Sequence, residues 1–243
     1  MDWNRAAELG QLRAVIDPAD CEGSKNQLID QIHWNYLRDT GGAKRVLDFG
    51  CGIGRLARRL ADRGVQYLGI DSSPSMIAAA RRRNAGSDLS FVVYDGVLIP
   101  ARTGWFDLCL SVGVFQYLIH SPNAEQIVRE IRRVMLSGGR FRLLEQASRS
   151  GKSSKSVESG ASEKDYVSRL SKYFHVESIC GIRSCFFSRP THKLLRVGKS
   201  SPFVSPLFLQ AAAKWEAGLL SLRENRYFDN LDYFDVLIEA RAI

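Results

Sequence analysis

The 243-residue chain reads as an α/β domain with a doubly wound, seven-stranded, mostly parallel sheet. Three observations predict it. Short apolar runs alternate with stretches of helical length, which calls for parallel strands joined by crossover helices. A glycine-rich turn stands where the first apolar run gives way to the first such helix. A last alternating run closes the chain after a long segment of different composition.

The elements follow in order. Asp2 to Arg38 reads as helical. Arg45-Val-Leu-Asp-Phe49 is a buried strand, followed by a helix from about Gly54 to Arg63. Gln66 to Ile70 is the second strand and Pro74 to Arg83 the next helix. Ser73 stands there as cap, and proline occupies the first helical position, where its missing N–H costs nothing. Leu89 to Val93 and Asp107 to Ser111 are strands three and four. Asn123 to Met135 is helical, entered through Ser121-Pro122-Asn123 and ended by Ser137-Gly138-Gly139. Gly139 to Leu144 is the fifth strand. Gln146 to Ser162, rich in Ser, Gly and Lys, reads as a mobile loop. A helix over Asp165 to Phe174, a strand over His175 to Cys180 and a strand over Tyr233 to Arg241 complete the sheet. An insertion over Arg183 to Asn230 carries a helix from Leu207 to Arg223. The organisation is therefore an N-terminal helical segment (1–40), a core (41–182), an insertion (183–230) and a last core strand (231–243).

Composition narrows the class. Hydrophobic residues at 45% and charged residues at 25% are ordinary for a soluble globular protein. The first thirty residues carry Asp2, Arg5, Glu8, Arg13, Asp17 and Asp20, which excludes a secretory signal of the usual form. Phe203 to Ala213 is too short to span a bilayer, so no transmembrane segment is expected. Five scattered cysteines without a C-x-x-C read as free thiols, and the location as cytoplasmic. The four histidines show no ligand spacing, so no metal is expected.

The strongest motif is Val46-Leu-Asp48-Phe-Gly50-Cys51-Gly52-Ile-Gly54. Glycine at every second position lets the backbone turn sharply and approach a ligand, and the following helix offers unpaired N–H groups. A nicotinamide dinucleotide loop would need glycine where Arg55 stands. Further along, Asp71-Ser72-Ser73 ends the second strand, Asp95-Gly96 follows the third, and Ser111-Val112 ends the fourth.

In this order and spacing, across roughly Lys44 to Glu145, the chain resembles the class I S-adenosylmethionine-dependent methyltransferases, a Rossmann-like fold. The resemblance implies S-adenosylmethionine as cofactor. It places Asp48, Gly50, Cys51, Gly52 and Gly54 at the loop and Asp71 on the ribose hydroxyls. Ser72, Ser73 and Met76 lie near the adenine, and Asp95 and Gly96 at its amino group. Ser111 and Val112 flank the methionine part.

The acceptor is left to charge and to what is missing. The fourth strand end lacks the Asn/Asp-Pro-Pro-aromatic pattern of methyltransferases that modify base amines, so nucleic acid is not expected. Arg81-Arg-Arg83, Arg129, Arg132 and Arg133 sit near helix C-termini, where they complement the dipole away from the ligand crevice. Net charge is nevertheless +8, and Ser178 to Trp215 holds six Lys/Arg without a single Asp or Glu. A basic roof over the site implies an anionic small molecule or sugar, methylated on a hydroxyl. A protein or RNA methyltransferase, or an inactive cofactor-binding module, are the alternatives. Candidate proton acceptors are Glu145, His120 and Tyr117, with His33 in the N-terminal segment a further one.

Overall fold

A computed structural model describes residues 2–21, 23–147, 161–184 and 233–243, together with Trp215. Seven strands form one sheet: β1 (Arg45–Phe49), β2 (Gln66–Asp71), β3 (Ser90–Val93), β4 (Phe106–Val112), β5 (Met135–Gln146), β6 (Phe174–Ser184) and β7 (Tyr233–Ala242). Their order is β3-β2-β1-β4-β5-β7-β6. The β1 to β5 pairings are parallel, and β7 runs antiparallel to both neighbours. The order reverses between β1 and β4, so their C-terminal ends splay apart into a crevice, the usual ligand position in such sheets.

Side chains alternate across the sheet. Leu47 and Phe49 enter one core layer with Phe115, Ile127, Ile131 and Phe141, while Val46 joins the opposite layer with Leu56, Leu60 and Ile77. The first layer is covered by α5 (Phe115–Leu118), α6 (Ala124–Val134) and α7 (Glu163–Leu170); α3 (Ala57–Ala61) and α4 (Pro74–Arg83) belong to the second. Helix α6 shows why its sequence folds as it does. Ile127, Val128, Ile131 and Val134 recur at helical spacing and are all buried.

Helix boundaries differ from the expectations at four places. The helix after β1 is confined to 57–61, because the glycine turn consumes the residues before it. Asn123 precedes α6 without a side-chain cap bond, so Ser121-Pro122-Asn123 is a turn and not a cap. Helix α6 ends at Val134, and Leu136 to Gly139 already lie in β5 beside a register shift opposite Phe106 and Leu108. Gly139 is required there, since a Cβ would lie 2.9 Å from the Leu136 carbonyl oxygen. Finally, α7 stops at Leu170, and buried Phe174 opens β6.

The N-terminal segment is not one helix. It forms α1 (Trp3–Glu8), a single 3-10 turn (Gln11–Ala14) and α2 (Ser24–Leu37). Gly10 at φ 64 and Gly23 at φ 80 break it into pieces that wrap the crevice. Most of the expected loop over Gln146 to Ser162, and most of the 183–230 insertion with its helix, lie outside the described residues.

Candidate functional site

The crevice is built from the glycine turn upward. Gly50 and Cys51 both donate backbone N–H to the Ile70 carbonyl, at 2.8 and 2.9 Å, so the turn is tied to the end of β2. Gly50 and Gly52 adopt φ of 73° and 52°, a region that side chains disfavour. Space is equally restrictive. A Cβ on Gly50 would lie 2.3 Å from Val114, and one on Gly52 2.6 Å from Val15.

Asp71 is the hinge of the arrangement. Its Oδ2 accepts the Gly52 N–H at 2.9 Å and its Oδ1 accepts the Ser73 N–H at 2.9 Å. Each oxygen keeps a second lone pair for a ligand. Burial raises the carboxyl above its ordinary range, and the backbone N–H bonds pull it back. Ser73 caps α4 by accepting the Met76 N–H at 3.1 Å and donates to Asn4 Oδ1 at 2.7 Å. That second bond fastens α1 to the cofactor side of the fold.

These groups surround a cavity of about 320 Å³. Of the residues expected at the site, Gly50, Gly52, Asp71 and Ser72 form part of its wall, as do Met76, Gly96, Val112 and Tyr117. The others do not. Gly54 packs its Cα face near Phe91 and Asn84, and buried Cys51 lies behind the turn with its thiol pushed up by burial. Asp48 is buried and accepts the Tyr67 hydroxyl at 2.7 Å, with burial lifting its carboxyl to about 6. Ser111 is buried in β4. Asp95 turns its exposed carboxylate back on its own loop, accepting N–H from Val97 and Leu98 at 2.8 and 3.0 Å.

The proton-acceptor candidates separate clearly. Glu145 is fully buried away from the cavity wall. Its Oε1 accepts N–H from Val114 and Phe115, each at 2.9 Å, and its Oε2 accepts that of Gln116 at 3.1 Å. Burial nonetheless pushes the carboxyl up to about 8. The side chain thus anchors the start of α5, and through it the cavity residues Gly113, Val114 and Tyr117. His120 is exposed beyond α5 and is absent from the wall. His33 is buried in a polar cluster: its Nε2 is 3.2 Å from Asp235 Oδ2 and its Nδ1 3.2 Å from Arg55 Nη2. A guanidinium can only donate, so Nδ1 accepts and the ring proton sits on Nε2, directed at Asp235. Arg55 also meets Asp30 at 2.6 Å, and Arg59 reaches the same carboxylate.

Several wall residues escaped the sequence reading. Phe49 and Tyr94 each stand one residue before a recognised glycine or acid, so adjacency was an available signal. Trp3 and Val15 had none, because only the folding back of the N-terminal segment brings them over the turn. Trp3 meets Tyr117 edge to face at 5.1 Å, closing the mouth with an aromatic pair.

Residues 46–139 match a family described as "Methyltransferase domain", the segment that supplies the glycine turn, Asp71 and most of the wall. That segment carries the resemblance to the class I S-adenosylmethionine-dependent methyltransferases, and it makes up less than half of the chain. The chain is 24% identical over 174 residues to sterol 4-C-methyltransferase strm-1 of Caenorhabditis elegans, covering 69% of the chain and 48% of that protein. It is 37% identical over 83 residues to the 18S rRNA (guanine-N(7))-methyltransferase of Bos taurus, covering 34% and 29%. The match spans about half the length, or less, of such curated relatives. Among solved structures, a chain of the complex between the Haloferax volcanii Trm112 methyltransferase activator and a methyltransferase superposes with a TM-score of 0.62 at 20% identity, covering 99% of this chain and 97% of that one. That likeness shows the fold. The chain has no helix among its described residues that is long and apolar enough to cross a membrane.

Proposed function

We propose that the protein transfers a methyl group from S-adenosylmethionine to a hydroxyl of an anionic small molecule or sugar, in the cytoplasm. The observation that carries the cofactor half is the Asp71 carboxylate, held by the Gly52 N–H on the cavity wall with a lone pair left on each oxygen. Two charge-assisted hydrogen bonds to vicinal ribose hydroxyls fit that geometry. Gly96, on the cavity wall beyond β3, fits the group as well, since it leaves open space beside the cavity. When bound, the cofactor supplies an electrophilic methyl on a sulfonium centre.

The chain's own contribution is positioning and exclusion of water. Gly50, Gly52 and Val112 would hold the amino-acid part, with Ser72 and Met76 flanking the adenine. Trp3 and Tyr117 close the mouth. Of the four proton-acceptor candidates only Tyr117 borders the cavity, so we assign it the orientation of the acceptor hydroxyl, with Glu145 holding the segment that carries it. The anionic acceptor rests on the acid-free run Ser178 to Trp215.

Nucleic acid stays outside the proposal despite the ribosomal RNA enzyme among the relatives. Several arginines that raise the net charge are engaged in the fold: Arg81 donates to the Phe91 carbonyl at 2.6 Å, and Arg133 binds Glu130 and three loop groups. A labelled-methyl screen of phosphorylated, carboxylated and nucleotide-linked acceptors tests the reading, with the Arg183→Glu/Arg189→Glu variant as control. The expected result is transfer that the variant loses while S-adenosylhomocysteine binding persists. Methylation of RNA and of no small anion would refute it.

A further inference from the structure

Helix α2 ties the segment that covers the cavity to the glycine turn. At its start, Asn26 donates its backbone N–H to Asp20 Oδ2 at 2.8 Å and its side-chain amide to the Asp17 carbonyl at 2.9 Å. Lys25 pairs with the Asp17 carboxylate. These bonds fasten the stretch that leads back to Val15 and Trp3, both on the cavity wall. Further along α2, Asp30 and His33 stand three residues apart and share a face. Asp30 binds Arg55 at 2.6 Å and also pairs with Arg59. His33 meets Arg55 through Nδ1 and Asp235 of β7 through Nε2, each at 3.2 Å. Arg55 directly follows Gly54, so its guanidinium carries the grip of α2 to the turn.

The cluster is balanced while the imidazole is neutral. Among the described residues it holds two carboxylates, Asp30 and Asp235, against two guanidiniums, Arg55 and Arg59. His33, Arg55 and Asp235 are all buried. Glu145 lies close enough to Asp235 to feel its charge, but burial pushes its own carboxyl up to about 8, so near neutrality it adds little charge. Protonation of His33 would place an N–H on Nδ1 against a guanidinium that can only donate. That bond would be lost, and two positive charges would face each other out of water. Asp235 attracts an imidazolium through Nε2, yet it cannot restore an acceptor at Nδ1. Separation of α2 from Arg55 relieves the conflict, and the covering segment moves with α2.

Resting on the cofactor reading given above, we infer that His33 is a positioning residue for S-adenosylmethionine. In its neutral form it holds Arg55, and with it the glycine turn and the covering segment, in the binding arrangement; protonated, it releases them. It lies off the cavity wall, so it acts on affinity and not on removal of the acceptor's proton.

The test measures S-adenosylhomocysteine affinity of the full chain by titration calorimetry from about pH 8 down to about pH 5.5, the range in which imidazoles change charge. His33→Gln keeps an acceptor for Arg55 and a donor for Asp235 but has no proton to gain. Over that range the unaltered chain should lose about tenfold more affinity than His33→Gln, the effect of one hydrogen bond to a charged group. Asp48 and Asp71 are present in both proteins and cancel from the comparison. At pH 8 His33→Gln should bind within about twofold of the unaltered chain, whereas His33→Leu, lacking both groups, should bind about tenfold more weakly. Ligand-free melting temperatures over the same range identify a merely structural role, which would shift them and leave the affinity profiles parallel. Parallel affinity profiles for the unaltered chain and His33→Gln would overturn the inference and leave the cofactor reading intact, whether or not His33→Leu folds. Failure of the unaltered chain to bind S-adenosylhomocysteine even at pH 8 would overturn both.

Discussion

The Gly52 amide and the Asp71 carboxylate are joined by a 2.9 Å hydrogen bond, so the glycine turn and the acid at the end of β2 form one rigid unit. Neither can be altered without moving the other. Asp71→Ala should therefore weaken S-adenosylhomocysteine by about 2–4 kcal/mol, as two charge-assisted bonds vanish and the turn loses its anchor. Calorimetry checks this, and an unchanged dissociation constant would remove Asp71 from the site.

Gly50→Ala should destabilise the fold by at least about 1–2 kcal/mol from its left-handed backbone alone. The clash with Val114 adds to that. Gly96→Ala has open space around it and should cost only the backbone part. Urea unfolding of the two variants without ligand measures the difference, and equal losses would show that the Val114 contact is soft.

Glu145 gives a pH dependence of definite sign. Burial pushes its folded carboxyl up to about 8, far above the ordinary 4.5, so between those values the folded chain keeps a proton that the unfolded chain releases. The stability from this group is complete below the unfolded value and declines as pH rises toward about 8. Asp48, raised to about 6, adds a decline of the same sign at lower pH. Glu145→Gln should flatten the upper part of the profile. Glu145→Ala should cost at least about 2 kcal/mol, because three amides lose their acceptor. Denaturation midpoints across this range decide it, and a profile rising toward pH 8 would contradict the assignment.

Tyr117→Phe separates orientation of the acceptor from closure of the mouth. The ring and its contact with Trp3 survive, so cofactor affinity should stay within about twofold while turnover falls by about tenfold or more. If Tyr117→Phe turns over normally and Tyr117→Ala does not, the residue serves only as a wall.

The fold was legible because each strand carries its own apolar run and each crossover its own punctuation. Ser73-Pro74 set the start of α4 to the residue, since cap and proline act locally. The Ser137-Gly138-Gly139 reading failed because Gly139 is needed for tertiary contact with neighbouring carbonyls and not to end a helix. At the site, the glycine turn and Asp71 could be read because their geometry is set within a few residues. Glu145 was placed at the right strand end, yet its side chain turned to the α5 amides, a choice that depends on a neighbouring segment. Trp3, Val15 and the pairing of His33 with Asp235 join residues remote in sequence, and no local pattern announces them.

The position of β7 bears on how the chain is made. It lies between β5 and β6 although it is the last of the seven strands to be translated. Until Tyr233–Ala242 leaves the ribosome, Met135–Gln146 presents a long unpaired edge, an open template for another nascent chain. The intervening segment takes on the order of 5 to 20 seconds to synthesise at ordinary rates. Shielding of that edge during translation is therefore expected to bear on recovery at high expression, apart from how stable the finished sheet is.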